Sequence, residues 1–178
     1  MSTPRTNLGL WHAAAGLSAR MHAGQVRKDG VTPYAAHPFR VMMIVRDLFA
    51  CDDDITLAAA LLHDVIEDTP GDFDDVAECA GAEAARVVAA LTKDMRLPED
   101  ERESAYDEAI RAACWRTKLI KLADCYDNLT DLSSRRDNPD PARVIDKAHR
   151  AIACADGEPA AARAVSLLQA LISRVQGG

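Results

Sequence analysis

The stretch from Ala59 to Thr69 reads Ala-Ala-Leu-Leu-His-Asp-Val-Ile-Glu-Asp-Thr, so His63, Asp64, Glu67 and Asp68 follow directly on an apolar run. Burying an imidazole and carboxylates costs several kcal/mol (~2–7 for a neutral polar group, more for a charge) unless they are paired or hold a cation. On a continuous helix, a spacing of four puts Glu67 on the face of His63 and Asp68 on the face of Asp64. Three carboxylates and one histidine in that setting concentrate negative charge that a divalent cation would relieve. A mixed imidazole and carboxylate set suits Mn²⁺, Fe²⁺ or Zn²⁺ better than Ca²⁺ or Mg²⁺, which favour all-oxygen shells. The plainer reading of His63-Asp64 alone is a salt-bridged helix end, and the Glu67-Asp68 pair at the helix exit weakens it.

Two distant segments offer further groups. Pro33-Tyr34-Ala35-Ala36-His37-Pro38 places a histidine at a helix start behind a turn. Lys118 to Leu129 forms an amphipathic segment in which Asp124 follows apolar residues and Asn128 lies one turn further on the same face. Taken singly, His37 reads as a helix cap and Asp124 as a solvated or lysine-paired carboxylate.

The elements that must position these groups are helices. A first helix is expected over residues 8–23, followed by a polar, turn-rich stretch from Gly24 to Tyr34. The next begins at His37-Pro38, since proline suits a first helical turn, and runs to Leu48. Asp52 to Asp54 supply N-caps for a helix over Ile55 to about Glu67, which Asp68-Thr69-Pro70-Gly71 ends. Helices over 72–80 and 82–93 are separated by Gly81; others cover the region of Tyr106 and Ile110, and 115–132. After Asn138-Pro139-Asp140-Pro141 come segments at 141–155 and 159–175. Strand alternation is missing throughout. The expectation is an all-α fold, a single compact helical bundle over residues 1–178.

Composition agrees. Apolar residues make up 48% of the 178, aromatic ones only 4%, and alanine is abundant, which favours close-packed helices over sheets. A formal charge of −7 argues against a broad basic face for nucleic acid, while leaving room for a local anion site. Five cysteines at 51, 79, 114, 125 and 154 show no C-x-x-C spacing, so reduced thiols in a cytoplasmic protein are expected rather than a disulfide framework. No leader pattern and no apolar run near 18 residues points to secretion or a membrane.

Read in order, these segments resemble the HD-domain phosphohydrolases, and more narrowly the hydrolase domain of RelA/SpoT-type enzymes and the small free-standing alarmone hydrolases. The residues that carry the resemblance are His22-Ala23-Gly24-Gln25-Val26-Arg27-Lys28-Asp29-Gly30, Pro33-Tyr34 through His37-Pro38, Ala59 to Thr69, Leu91-Thr92-Lys93, and Lys121-Leu122-Ala123-Asp124 with Asn128-Leu129. They span about residues 12–132; the C-terminal helices match nothing distinctive. The resemblance implies a metal, usually Mn²⁺, on His37, His63, Asp64 and Asp124. It implies that Glu67 and Asp68 position and deprotonate the attacking water. Arg27 and Lys28 would then meet the pyrophosphate or nucleotide, and Asn128 the ribose or a phosphate. The implied reaction is removal of the 3′-pyrophosphate of (p)ppGpp by a metal-activated water. Another nucleotide substrate, or a non-catalytic nucleotide-binding sensor or antitoxin, is the competing expectation.

Other groups read more plainly. Lys93, Arg96, Arg102, Lys118 and Lys121 are expected on solvated faces, although Lys121 has a second reading as the partner of a catalytic carboxylate. His22 is expected to be structural, His12 and His149 to lie at the surface, and Trp11 and Trp115 in the core. Tyr34 is expected to pack beneath the site, with stacking on a base as its second reading. The chain departs from the RelA/SpoT pattern after Asp124, where Cys125 replaces a basic residue and Asp127 follows. That change predicts a more acidic pocket wall, unfavourable to a polyanion, and keeps the other-nucleotide reading open.

Overall fold

The computed structural model describes residues 9–134 and 140–177; Leu8 and the Asn138-Pro139 turn lie outside them. Among the described residues the chain is all-α, as expected. Its helices are α1 (Gly9–Met21), α2 (Ala36–Met43), α3 (Asp54–Leu62), α4 (Val65–Asp68), α5 (Phe73–Leu91), α6 (Glu99–Ala112), α7 (Trp115–Thr130), α8 (Pro141–Cys154) and α9 (Ala162–Gly177). The sole strand-like feature among them is an isolated antiparallel bridge between Val26 and Pro33. No helix among them is long and apolar enough to cross a membrane.

α3 forms the centre. Every residue from Thr56 to Leu62 is buried, and α1, α2, α5 and α7 pack around it. Three consecutive alanines, Ala58 to Ala60, let those helices approach closely because they carry almost no side chain. Asp53 caps α3 by accepting from the Thr56 amide at 2.9 Å, and Arg116 of α7 grips the same carboxylate, tying two helix starts together. α2 ends in a π-helical turn, Ile44–Leu48, and the Leu48 carbonyl, left without an intrahelical partner at the helix end, accepts from Arg163 at the start of α9. α5 is interrupted at Gly81, whose φ of 87° suits glycine, so the expected punctuation there is real.

One expectation fails in an informative way. The helix from Ile55 to Glu67 is not continuous: α3 stops at Leu62, and Asp64 (φ −98°, ψ −3°) turns the chain into the short α4. No proline or glycine marks the break. The His63 Nδ1–H instead donates back to the Ala60 carbonyl at 2.8 Å. The pairing inferred for Asp64 with Asp68 survives the break, since the Asp68 amide bonds the Asp64 carbonyl at 2.9 Å and both carboxylates meet the Tyr34 hydroxyl, whereas Glu67 is held by the Lys93 amide rather than by His63. Trp11 and Trp115, expected in the core, are half-buried at its edge.

Candidate active site

A cleft of about 430 Å³ opens where α2, α3, α4 and α7 meet, and it collects residues from both ends of the chain. His37, His63, Asp64 and Asp124 all line it, together with Glu67, Asp68, Arg27, Lys28 and Asn128. All nine residues singled out from the sequence thus converge on one space.

At its floor, ligand atoms of His37, His63 and Asp124 all lie within 4.8 Å of one another. Asp64 closes the group: its oxygens stand 3.1 Å from His63 Nε2 and 3.5 Å from His37 Nε2, and Asp124 stands 3.3 Å from His37 Nε2. Both imidazoles are oriented through their other nitrogen. His63 Nδ1 bonds to Ala60, and His37 Nδ1 to Asp127 Oδ2 at 2.7 Å, which assigns both Nε2 lone pairs to the cluster. His63 Nε2 is buried and has no hydrogen-bond partner among the described residues. Burial disfavours an imidazolium at His37, yet hydrogen bonds to Asp124 and Asp127 and the charge of Asp64 outweigh it and raise its pKa to about 9. A spot that holds a proton on His37 Nε2 despite burial suits a divalent transition metal in that proton's place, with both Nε2 atoms and two carboxylates facing it.

The acid pair sits on α4. Glu67 Oε2 accepts from the Lys93 amide at 2.9 Å, and burial raises its pKa against the pull of Lys93. Asp68 meets Tyr34, whose hydroxyl lies 2.8 Å from both Asp68 Oδ2 and Asp64 Oδ2. Tyr34 is therefore more than packing. Burial and the two carboxylates push its phenol pKa far up, so it remains a donor at any ordinary pH. One hydroxyl proton serving two carboxylates is another sign that this spot favours a cation. His22 stacks on Tyr34 at 4.7 Å and reaches Asp68 through Gln25, a structural part as expected. His12 and His149 are exposed, also as expected.

The cationic groups differ from expectation. Arg27 sits on the loop between α1 and α2, where Asp29 and Gly30 (φ 78°) make a tight turn. Its guanidinium is fastened to Asn128 Oδ1 at 3.1 Å and to Asp131 at 3.0 Å. Asn128 in turn donates to Asp124 Oδ1, as their shared helix face requires. Lys121 is not solvated: it pairs with Asp124 Oδ2 at 2.8 Å. Burial pushes the Asp124 pKa up, but Lys121 and the histidines hold it well below the usual carboxylate range. Lys93 also lines the cleft, paired with Glu103. Arg96 is exposed as expected; Arg102 and Lys118 are half-buried and away from the cleft.

The largest correction concerns Asp127. It does not make the pocket wall acidic, because it points away from the cleft, is buried, and is gripped by Arg40 at 2.6 and 2.9 Å as well as by His37. Burial alone raises a carboxyl pKa; the bonds from His37 and Arg40 reverse this and hold Asp127 low. Arg40 was missed, since a partner 87 positions away leaves no local signal. Cys125 does line the cleft, but burial pushes its thiol up to about 11, leaving it neutral.

Residues 14–157 match the family model described as HD domain. The human guanosine-3′,5′-bis(diphosphate) 3′-pyrophosphohydrolase MESH1 is 41% identical over 121 residues, 67% of this chain and 68% of that one. The bifunctional (p)ppGpp synthase/hydrolase SpoT of Escherichia coli K12 is 38% identical over 130 residues, 70% of this chain but 18% of that protein. Among solved structures, a metazoan SpoT ortholog described as hydrolysing ppGpp superposes with a TM-score of 0.83 over 98% of both chains, at 29% identity. A Listeria monocytogenes protein superposes at 0.64 over 82% of this chain; at 22% identity it speaks to the fold alone. On the extent of the family match and these likenesses, the chain belongs to the HD-domain family.

Proposed function

We propose that the protein is a metal-dependent hydrolase that removes the 3′-pyrophosphate of guanosine-3′,5′-bis(diphosphate), releasing GDP and pyrophosphate. The observation that carries this reading is the convergence in one cleft of an oriented His/Asp cluster, the carboxylate pair Glu67 and Asp68, and several cations. The relatives named for this reaction support the choice of substrate. His37, His63, Asp64 and Asp124 would hold the ion, for which Mn²⁺ is proposed. When bound, the ion supplies Lewis acidity, acidifying water and neutralising charge on phosphate.

The remaining work falls to this chain's own groups. Glu67, held by the Lys93 amide and desolvated, accepts the proton of the attacking water. Tyr34 keeps Asp68 beside Asp64, so that Asp68 orients the same water. Asn128 fixes Asp124 from one side and Lys121 from the other. Arg27 and Lys28 meet the phosphate chain and balance charge that develops on it. The case for a different nucleotide rested on Cys125 in place of a basic residue and on Asp127 facing the pocket; Cys125 does line the cleft, but Asp127 is turned inward and adds no carboxylate to the wall. The whole chain is proposed to act as one domain in the cytoplasm; its unpaired cysteines are compatible with that setting.

Product identity tests the substrate. Purified protein with Mn²⁺ and guanosine-3′,5′-bis(diphosphate), resolved by anion exchange, is expected to yield GDP and inorganic pyrophosphate in equal amounts. Release of orthophosphate, or an untouched substrate beside a hydrolysed adenosine or cofactor phosphate, would refute this assignment.

A further inference from the structure

Five cations line the cleft: Arg27, Lys28, Lys93, Lys121 and Lys147. Four are engaged. Arg27 is tied to Asn128 and Asp131, Lys93 to Glu103 and Lys121 to Asp124, and Lys28 has a partner of its own. Lys147 alone makes no hydrogen bond or ion pair through its ammonium among the described residues. The nearby carboxylate, Glu103, is already shared by Lys93 and Arg150. Lys147 comes from α8, outside the segments that resemble the alarmone hydrolases, and its carbonyl meets the Sγ of Cys125 at 3.9 Å. It thus stands beside the position where a basic residue after Asp124 is replaced by cysteine.

The placement has a direction. Along α7, Lys121 and Asn128 are seven residues apart, roughly 10 Å at helical rise. Arg27 gathers at the Asn128 end, while Lys93 and Lys147 gather at the Lys121 end, with the His/Asp cluster at Asp124 between them. Both Lys93 and Lys121 sit over the ring of Tyr106, at 5.0 and 5.3 Å. Two cationic ends flanking one reacting centre match a nucleotide phosphorylated on both sides of its sugar.

We propose that Lys147 binds the 5′-phosphate chain of such a nucleotide, and so selects doubly phosphorylated substrates over those carrying phosphate only at the scissile side. This rests on the hydrolase reading above and extends it to a residue on α8. A half-buried ammonium crowded by Lys93 and Lys121 is costly, and burial followed by those neighbours lowers its pKa. A phosphate oxygen would relieve both penalties through a charge-assisted hydrogen bond.

The test compares wild type with Lys147→Met and Lys147→Arg. It measures calorimetric binding of GDP, and steady-state hydrolysis of guanosine-3′,5′-bis(diphosphate) and of guanosine 3′-diphosphate, which lacks the 5′-phosphates. Lys147→Met is expected to weaken GDP binding and raise KM for the doubly phosphorylated substrate about tenfold or more, with kcat within about twofold. Kinetics on guanosine 3′-diphosphate should not move, and Lys147→Arg should restore most of the loss. Equal losses on both substrates, or unchanged GDP binding in Lys147→Met, would overturn the assignment. A wild-type protein that hydrolyses neither substrate would sink the hydrolase reading, while GDP binding alone would still decide Lys147.

Discussion

Glu67→Gln is expected to lower turnover of guanosine-3′,5′-bis(diphosphate) by about 10²–10⁴-fold while leaving metal content nearly intact. That range is what a positioned general base contributes. The amide keeps the shape of Glu67 and still accepts from the Lys93 backbone at its oxygen, so the loss isolates proton acceptance from structure. Asp68→Asn should also abolish most turnover, because its partner Tyr34 ties it to Asp64 rather than to a separate site. Stopped assays beside metal analysis by mass spectrometry check both. Full activity in both variants would remove the acid pair from the mechanism, and loss of metal in Glu67→Gln would make it a structural residue instead.

Asp127→Ala should weaken Mn²⁺ binding by about 10–100-fold, the usual effect of removing the group that orients a ligating histidine. His37 would lose the acceptor that fixes its Nδ1–H, and its ring would be free to turn. The same change leaves Arg40 only Asp131 as a partner and strands the buried His37 Nδ1–H, so stability should fall by about 1–3 kcal/mol. Asp127→Asn separates the two effects. It retains an acceptor for Arg40 and should recover much of the stability, yet it bonds His37 less strongly than a carboxylate. Equilibrium metal titration followed by thermal unfolding reads both. Wild-type Mn²⁺ affinity in Asp127→Ala would show that His37 needs no such support.

The parts of this site visible in the sequence were those whose cost is local. His63, Asp64, Glu67 and Asp68 stand out because charged groups ending an apolar helix need compensation wherever the rest of the chain lies. Asn128 was legible from its spacing to Asp124 on one helix face. What stayed hidden depended on pairing across the fold. Asp127, three residues from Asp124, reads as a pocket residue, but that spacing also faces α2, where Arg40 lies. The break at His63-Asp64 has no glycine or proline to announce it and arises from a side chain bonding back to Ala60. Lys93 reads as a surface lysine because its partner Glu103 and the ring of Tyr106 become its neighbours only on folding, whereas the pairing of Lys121 with Asp124, three residues on along one helix, is the second reading the sequence offers for it. Lys147 lies beyond the segments that carry the resemblance, and nothing local in the sequence sets it apart from other helical lysines.

The most direct measurement is pyrophosphate release from guanosine-3′,5′-bis(diphosphate) by chelator-stripped protein as Mn²⁺ is returned, with bound metal followed in the same samples and Asp64→Ala in parallel. Activity is expected to be absent in the stripped protein, to rise in proportion to bound Mn²⁺, and to stay absent in Asp64→Ala. Undiminished release without metal, or from Asp64→Ala, would contradict a metal centre built on His37, His63, Asp64 and Asp124.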